Sequence, residues 1–89
     1  MAERTVTVGS KVGLHARPAA IFVKAAGEAG IPVTIRKEGG EPVDAASILA
    51  VMTLGAHYQD TVTIAAEGDR ADEVLDSLAE LLGQDLDEK

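Results

Sequence analysis

Apolar and polar residues alternate along several short segments of the chain, and this pattern predicts strands. Period-two alternation covers residues 4–8, 31–35 and 60–67, as is typical of strands with one buried face. A short further strand is predicted around residues 42–45, and Pro42 places it at the sheet edge because proline lacks a ladder donor. One apolar face on each strand favours an antiparallel sheet that is exposed to solvent on its other face.

Three other segments have the composition or spacing of helices. Residues 16–28 are rich in alanine and begin next to Pro18, which a first helical turn tolerates. Residues 47–54 begin with Ser47 as N-cap, and a third helix is predicted after Asp69 as its cap. That last helix has one apolar stripe, formed by Val74, Leu75, Leu78, Leu81 and Leu82. The order β-α-β-β-α-β-α predicts a two-layer α+β sandwich.

The predicted helix over residues 47–54 is apolar on nearly every side. So short a helix cannot bury all of its faces against one small sheet. Either part of it is exposed and contacts a partner, or it is wedged between the sheet and a loop. The pattern alone favours neither alternative.

Composition limits the possible partners and the size of the fold. The 89 residues, 1–89, form one small domain with a short acidic tail over about residues 84–89. The net charge of −7, one Tyr, one Phe and no Trp argue against nucleic-acid binding. The charge is uneven, since residues 69–89 carry −6 and residues 11–24 carry +3. An acidic protein therefore keeps one locally basic segment.

Several other classes of protein are disfavoured. The chain has no Cys, which excludes disulfides and thiolate metal sites. Two His are too few to hold a metal without carboxylates, and we expect no metal and no cofactor. No apolar segment is long enough to span a membrane, and the N-terminus lacks the apolar region of a signal peptide. We expect a cytoplasmic protein without membrane insertion.

The residues with the clearest chemistry lie at the start of the first predicted helix. If that helix begins at Ala16, His15 is its N-cap, and helix N-termini favour anions such as phosphate. Neutral imidazole is a nucleophile, and a phosphoryl group on His15 would meet the N–H groups of Ala16 and Arg17. The Arg17 side chain could add a charge-assisted hydrogen bond. The alternative is a simple His N-cap with an incidental Arg.

Two segments resemble the signatures of the HPr family, the phosphocarriers of the bacterial phosphoenolpyruvate-dependent sugar phosphotransferase system. Residues 13–20 read GLHARPAA, and residues 47–55 read SILAVMTLG. The resemblance extends over essentially the whole chain and implies an HPr-like open-faced sandwich. Its four antiparallel strands would have the order 1-4-2-3, with three helices on one face.

The resemblance also implies a stoichiometric phosphoryl carrier rather than an enzyme. His15 would accept a phosphoryl group on Nδ1 from phosphorylated Enzyme I and pass it to IIA domains or proteins of sugar permeases, while Arg17 steadies the group. We expect a monomer. The residues that correspond to partner contacts in the family are Ala20, Lys24, Ile48, Leu49, Met52 and Thr53.

Ser47 has two interpretations. It matches a serine that an ATP-dependent kinase phosphorylates in some family members, but those members often have Lys before the serine, where this chain has Ala46. The simple N-cap role is favoured. His57 is interpreted as a surface residue, and the acidic residues of the last helix as a solvated face.

Other functions need features that this sequence does not offer. A regulatory HPr-like protein without phosphoryl transfer would lack the His that stands at position 15. A small ligand-binding or metal-binding domain would need more converging polar groups than two distant His provide. A hydrolase would need a triad or a metal set beside His15.

Overall fold

The computed structural model describes residues 2–9, 13–14 and 16–84. The seven elements follow the predicted order, with bounds that differ from the predicted ones by a few residues at most. They are β1 (Ala2–Thr7), α1 (Ala16–Gly27), β2 (Val33–Lys37), β3 (Val43–Asp44), α2 (Ile48–Thr53), β4 (Thr61–Ala66) and α3 (Ala71–Leu82). Of the acidic tail, only Gln84 lies within the described residues.

The sheet has four antiparallel strands in the order β1-β4-β2-β3, which confirms the predicted topology. The central strand β4 pairs Thr63 with Thr5 of β1 and with Arg36 of β2. The short strand β3 lies at an edge, as Pro42 predicted. Alternate residues of β1 are exposed, and the Thr5 and Thr63 hydroxyls on this open face lie 3.3 Å apart.

The helices cover the other face and enclose one hydrophobic core. Phe22 of α1, Val51 of α2 and Leu75 of α3 are fully buried against Ile35 and Ile64 of the central strands. The predicted stripe of α3 faces this core, although Leu81 is only partly buried. Burial of these large side chains, at about 1.5–3 kcal/mol each, is the main force that holds the two layers together.

The start of α3 corrects one prediction. Arg70, not Asp69, is the N-cap residue, and its side chain makes no capping hydrogen bond. Gly68 has φ +121°, and its carbonyl accepts the N–H of Ala71, so Asp69 lies within a turn that precedes the helix. The first turn of α3 instead carries two acidic side chains, which interact favourably with the helix dipole.

The acidic face of α3 is exposed, as predicted, but it is not only a solvated face. Asp72 and Asp76 pair with Arg4 of β1, at 3.2 and 2.8 Å. These two carboxylates raise the pKa of Arg4, Asp76 most strongly. The ion pairs are largely exposed, so they orient α3 along β1 more than they stabilise the fold.

Gly9 allows the end of β1 to approach the end of α3 closely. Its N–H donates to the Leu82 carbonyl at 2.9 Å, and a Cβ at this position would overlap the carbonyl of Gly83. The main chain must move to admit any side chain there. This contact fixes where the chain leaves β1.

We expect Gly9→Ala to lower the free energy of unfolding by about 2 kcal/mol, because the added methyl group has no space. Gly27→Ala is the matched control, since a Cβ there meets nothing within 4 Å. The control should be neutral or stabilising by up to about 1 kcal/mol. Urea unfolding followed by circular dichroism measures both, and equal stabilities for the two variants would contradict the close approach.

Candidate functional site

The N-terminal end of α1 is fixed by burial on one side and remains open on the other. Pro18, Ala19 and Phe22 are buried in the core. The first N–H groups of a helix have no acceptor within it, so those of Ala16 and Arg17 point out of this end. His15 lies outside the described residues, and the structure therefore gives no contacts for the predicted phosphoryl acceptor.

The two residues before His15 are held in place. Gly13 has φ +76°, a left-handed conformation that favours glycine. Leu14 is 1% exposed, and its N–H donates to the Ala56 carbonyl at 2.9 Å. The chain that leads into α1 is thus fastened to the loop that follows α2.

The exposed side of α1 carries the predicted functional residues of this helix. Arg17, Ala20 and Lys24 are exposed, and their spacing of three and four places them on one face. Among the described residues, the Arg17 guanidinium makes no ion pair. Its charge is available to an anion that approaches the end of α1.

Helix α2, which contacts α1, resolves the alternatives left by its apolar sequence. Val51 is buried, whereas Leu49 is 75% exposed and Ile48 and Met52 are each 38% exposed. Thr53 is also exposed, and its hydroxyl donates to the Ala50 carbonyl at 2.9 Å. Val51 therefore anchors the helix in the core, while most of its other side chains are exposed to solvent. We call Ile48, Leu49 and Met52 the apolar patch.

Ser47 is the N-cap of α2, as predicted. Its Oγ accepts the N–H of Ala50 at 3.3 Å, and its side chain is partly buried. The Asp44 carboxylate accepts the N–H of Ala46 at 2.9 Å in the turn just before. The two side chains together define where α2 begins, and the Ser47 hydroxyl stabilises this end of the helix.

The loop after α2, residues 55–60, carries interactions that the sequence did not reveal. The His57 side chain is exposed, and its backbone N–H donates to the Asp60 carboxylate at 2.9 Å. This hydrogen bond is the largest cause of a lowered pKa at Asp60, and the nearby Lys37 charge lowers it further. Tertiary contacts hold this loop, among them the hydrogen bond from Leu14 to Ala56 and the hydrogen bond from Lys37 Nζ to the Gly55 carbonyl, and no sequence motif marks it.

Comparison with known proteins decides the family. The model of the family described as "PTS HPr component phosphorylation site" matches residues 2–84. The chain belongs to the HPr family. It is 51% identical over 88 residues to the phosphocarrier protein HPr of Streptomyces coelicolor, covering 99% of this chain and 95% of that protein. It is 36% identical over 86 residues to the HPr-like protein Crh of Bacillus subtilis, covering 97% and 100% of the two chains.

A solved structure agrees with this assignment. The crystal structure of HPr-C-His from Thermoanaerobacter tengcongensis superposes with a TM-score of 0.89 at 36% identity, covering 100% of this chain and 99% of that one. The fold predicted from the HPr resemblance is therefore confirmed, and so is the assignment to the phosphocarriers. No helix among the described residues of this HPr-family chain is long and apolar enough to cross a membrane.

We expect Ser47→Ala to lower the free energy of unfolding by about 1 kcal/mol, because the N–H of Ala50 loses its acceptor. Ser47→Asp should retain most of the stability, since a carboxylate is an equally good cap and suits the helix dipole. Chemical unfolding of the three proteins measures the difference. A loss in the Asp variant as large as that in the Ala variant would argue against a capping role.

Proposed function

We propose that this chain is a phosphoryl carrier that accepts a phosphoryl group from phosphorylated Enzyme I on His15 and passes it to IIA domains or proteins of sugar permeases. The observation that carries the proposal is the segment GLHARPAA at residues 13–20, within a chain of the phosphocarrier family. On acceptance, the Nδ1–phosphorus bond of His15 forms while the bond between phosphorus and Enzyme I breaks. On donation, the Nδ1–phosphorus bond breaks while a bond between phosphorus and the IIA component forms.

The described part of the site supports reversible transfer. Phosphoryl transfer depends on alignment and on stabilising charge on the phosphoryl oxygens. One exposed Arg17 and the open end of α1 provide modest stabilisation of these oxygens. A site with several buried cations would hold the group too tightly to pass it on, whereas this site leaves it accessible to a second partner.

The partner surface would combine the exposed face of α1 with the apolar patch of α2. Arg17 and Lys24 add positive charge to a protein whose net charge is −7, so they favour acidic partner surfaces. Leu49, at 75% exposure, would be its most accessible apolar contact. Such a small, partly apolar surface fits transient contacts, in which two partners bind one after the other.

A regulatory phosphorylation of Ser47 stays a prediction of the family resemblance. The Ser47 side chain accepts a hydrogen bond from Ala50 and is partly buried, which favours the capping role. A phosphate there would place negative charge beside the apolar patch and hinder acidic partners.

We expect His15→Ala to abolish phosphoryl acceptance without unfolding the chain. Wild-type protein incubated with phosphoenolpyruvate and Enzyme I should gain one acid-labile phosphate by intact-mass spectrometry. His57→Ala is the matched control, since it removes the other of the two His of the chain and should leave acceptance intact. Phosphate uptake by the His15 variant, or its loss in the His57 variant, would contradict the assignment of His15.

We expect Arg17→Ala to slow phosphoryl acceptance about tenfold, corresponding to the loss of one charge-assisted hydrogen bond to the phosphoryl group. The rate is measured by rapid quench with phosphorylated Enzyme I. Arg70→Ala provides the control, because Arg70 pairs with Glu73 on α3 and should not affect the rate. Equal rates for the wild type and the Arg17 variant would remove Arg17 from the mechanism.

A further inference from the structure

The loop of residues 55–60 holds both ends of the segment that leads to His15. Its Ala56 carbonyl accepts the N–H of Leu14 at 2.9 Å, one residue before His15. At the other end, Val8 donates its N–H to the Asp60 carbonyl and accepts the N–H of Gln59, both at 2.9 Å. We call residues 55–60 the platform loop. Its position therefore determines where the segment between Val8 and Leu14 begins and ends.

The platform loop contains backbone conformations that need support. Gly55 has φ +73°, and Gln59 has φ +72°, the only positive φ among the described residues other than glycine. A side chain in the left-handed region costs about 1 kcal/mol or more. Contacts elsewhere must therefore stabilise this conformation of the loop.

The Asp60 side chain supplies one of these contacts. Its carboxylate accepts the backbone N–H of His57 at 2.9 Å, and the backbone N–H of Asp60 donates to the His57 carbonyl at 3.0 Å. These two hydrogen bonds close the turn around Gln59. The His57 Nδ1 also lies 3.6 Å from the same carboxylate oxygen. An aspartate carboxylate is ionised at neutral pH, and the hydrogen bond from the His57 backbone N–H lowers the pKa of Asp60 further.

Lys37 links the platform loop to the sheet. Its backbone is paired with Val62 in the β2–β4 ladder, so the base of its side chain is fixed. Its Nζ donates to the Gly55 carbonyl at 3.3 Å and lies 4.0 Å from the Asp60 carboxylate. A single cation thereby contacts both ends of the loop, on either side of Ala56.

We propose that Asp60 and Lys37 are positioning residues for phosphoryl transfer, which fix the platform loop and, through the Ala56–Leu14 hydrogen bond, the backbone that precedes His15. The inference rests on the proposed function, since it concerns the residue that accepts the phosphoryl group. We assign neither side chain a contact with the phosphoryl group. Their effect passes through the backbone of residues 55–60 to Leu14.

The test compares Asp60→Ala with Asp60→Asn in the intact chain, because an Asn side-chain oxygen can still accept the His57 N–H. Asp76→Ala is the matched control, since it removes a carboxylate that is also paired with a cation but lies on α3. Native-state hydrogen exchange of the Leu14 amide is measured beside that of Ile64 in the central strand. The rate of phosphoryl acceptance from phosphorylated Enzyme I is measured on the same samples.

In Asp60→Ala we expect Leu14 exchange to rise about fivefold and phosphoryl acceptance to fall about fivefold, as the loss of one hydrogen bond predicts. Ile64 exchange should change less than Leu14 exchange. Asp60→Asn should restore both quantities to near the wild-type values, and Asp76→Ala should change neither. Lys37→Met should act in the same direction as Asp60→Ala, because it frees the Gly55 carbonyl.

Three results would overturn the positioning role. One is unchanged Leu14 exchange in Asp60→Ala, and another is faster exchange with an unchanged rate of acceptance. The third is an equal rise at Leu14 and Ile64, which would mark Asp60 as a general stability residue. A wild-type chain that takes up no phosphoryl group would instead overturn the proposed function, and Leu14 exchange would still report whether Asp60 holds the backbone.

Discussion

The hydrogen bond from the Leu14 N–H to the Ala56 carbonyl is the contact on which the candidate site depends most. It joins the chain that enters α1 to the loop that leaves α2, and it lies beside a Leu14 side chain that is fully buried. Burial excludes water from this bond and makes its loss costly. The bond lies between α1 and α2, two helices that also pack against each other.

Contacts of α3 with α1 and with the end of β1 stabilise the arrangement of the helices. The C-terminal end of α1 and the N-terminal half of α3 border one cleft, which is lined by Ala25, Ala29 and Val74. At the other end of α3, Gly9 contacts Leu82 and Gly83. The core holds this framework, while the residues proposed to meet partners stay exposed.

Much of the fold follows from patterns that the sequence displays. Period-two alternation predicted three strands, and Pro42 correctly predicted the edge strand. The excess of apolar residues in α2 left partial exposure and a wedged helix as equal alternatives, and the exposed Leu49 and Met52 show that part of the helix is open to solvent. The predicted Asp69 cap was wrong because Asp69 lies inside a turn that begins at the left-handed Gly68, and local composition does not determine that turn.

The platform loop could not be predicted from the sequence for a different reason. Its contacts join side chains to backbone groups of residues distant along the chain, as with Lys37 and Gly55. Lysine and aspartate at exposed positions are most often solvated, so neither residue type indicates such a contact. Only the register of β2 against β4, which places Lys37 opposite Val62, brings the ammonium group to the loop.

We propose that a preformed local site at the N-terminal end of α1 binds one phosphoryl group. The most direct measurement is NMR of the 15N-labelled chain before and after phosphorylation by Enzyme I and phosphoenolpyruvate. We expect a phosphorus–nitrogen bond at His15 Nδ1, with amide shifts concentrated at Ala16, Arg17 and the platform loop. A phosphate bound through oxygen, or shifts spread across the sheet and α3, would contradict it.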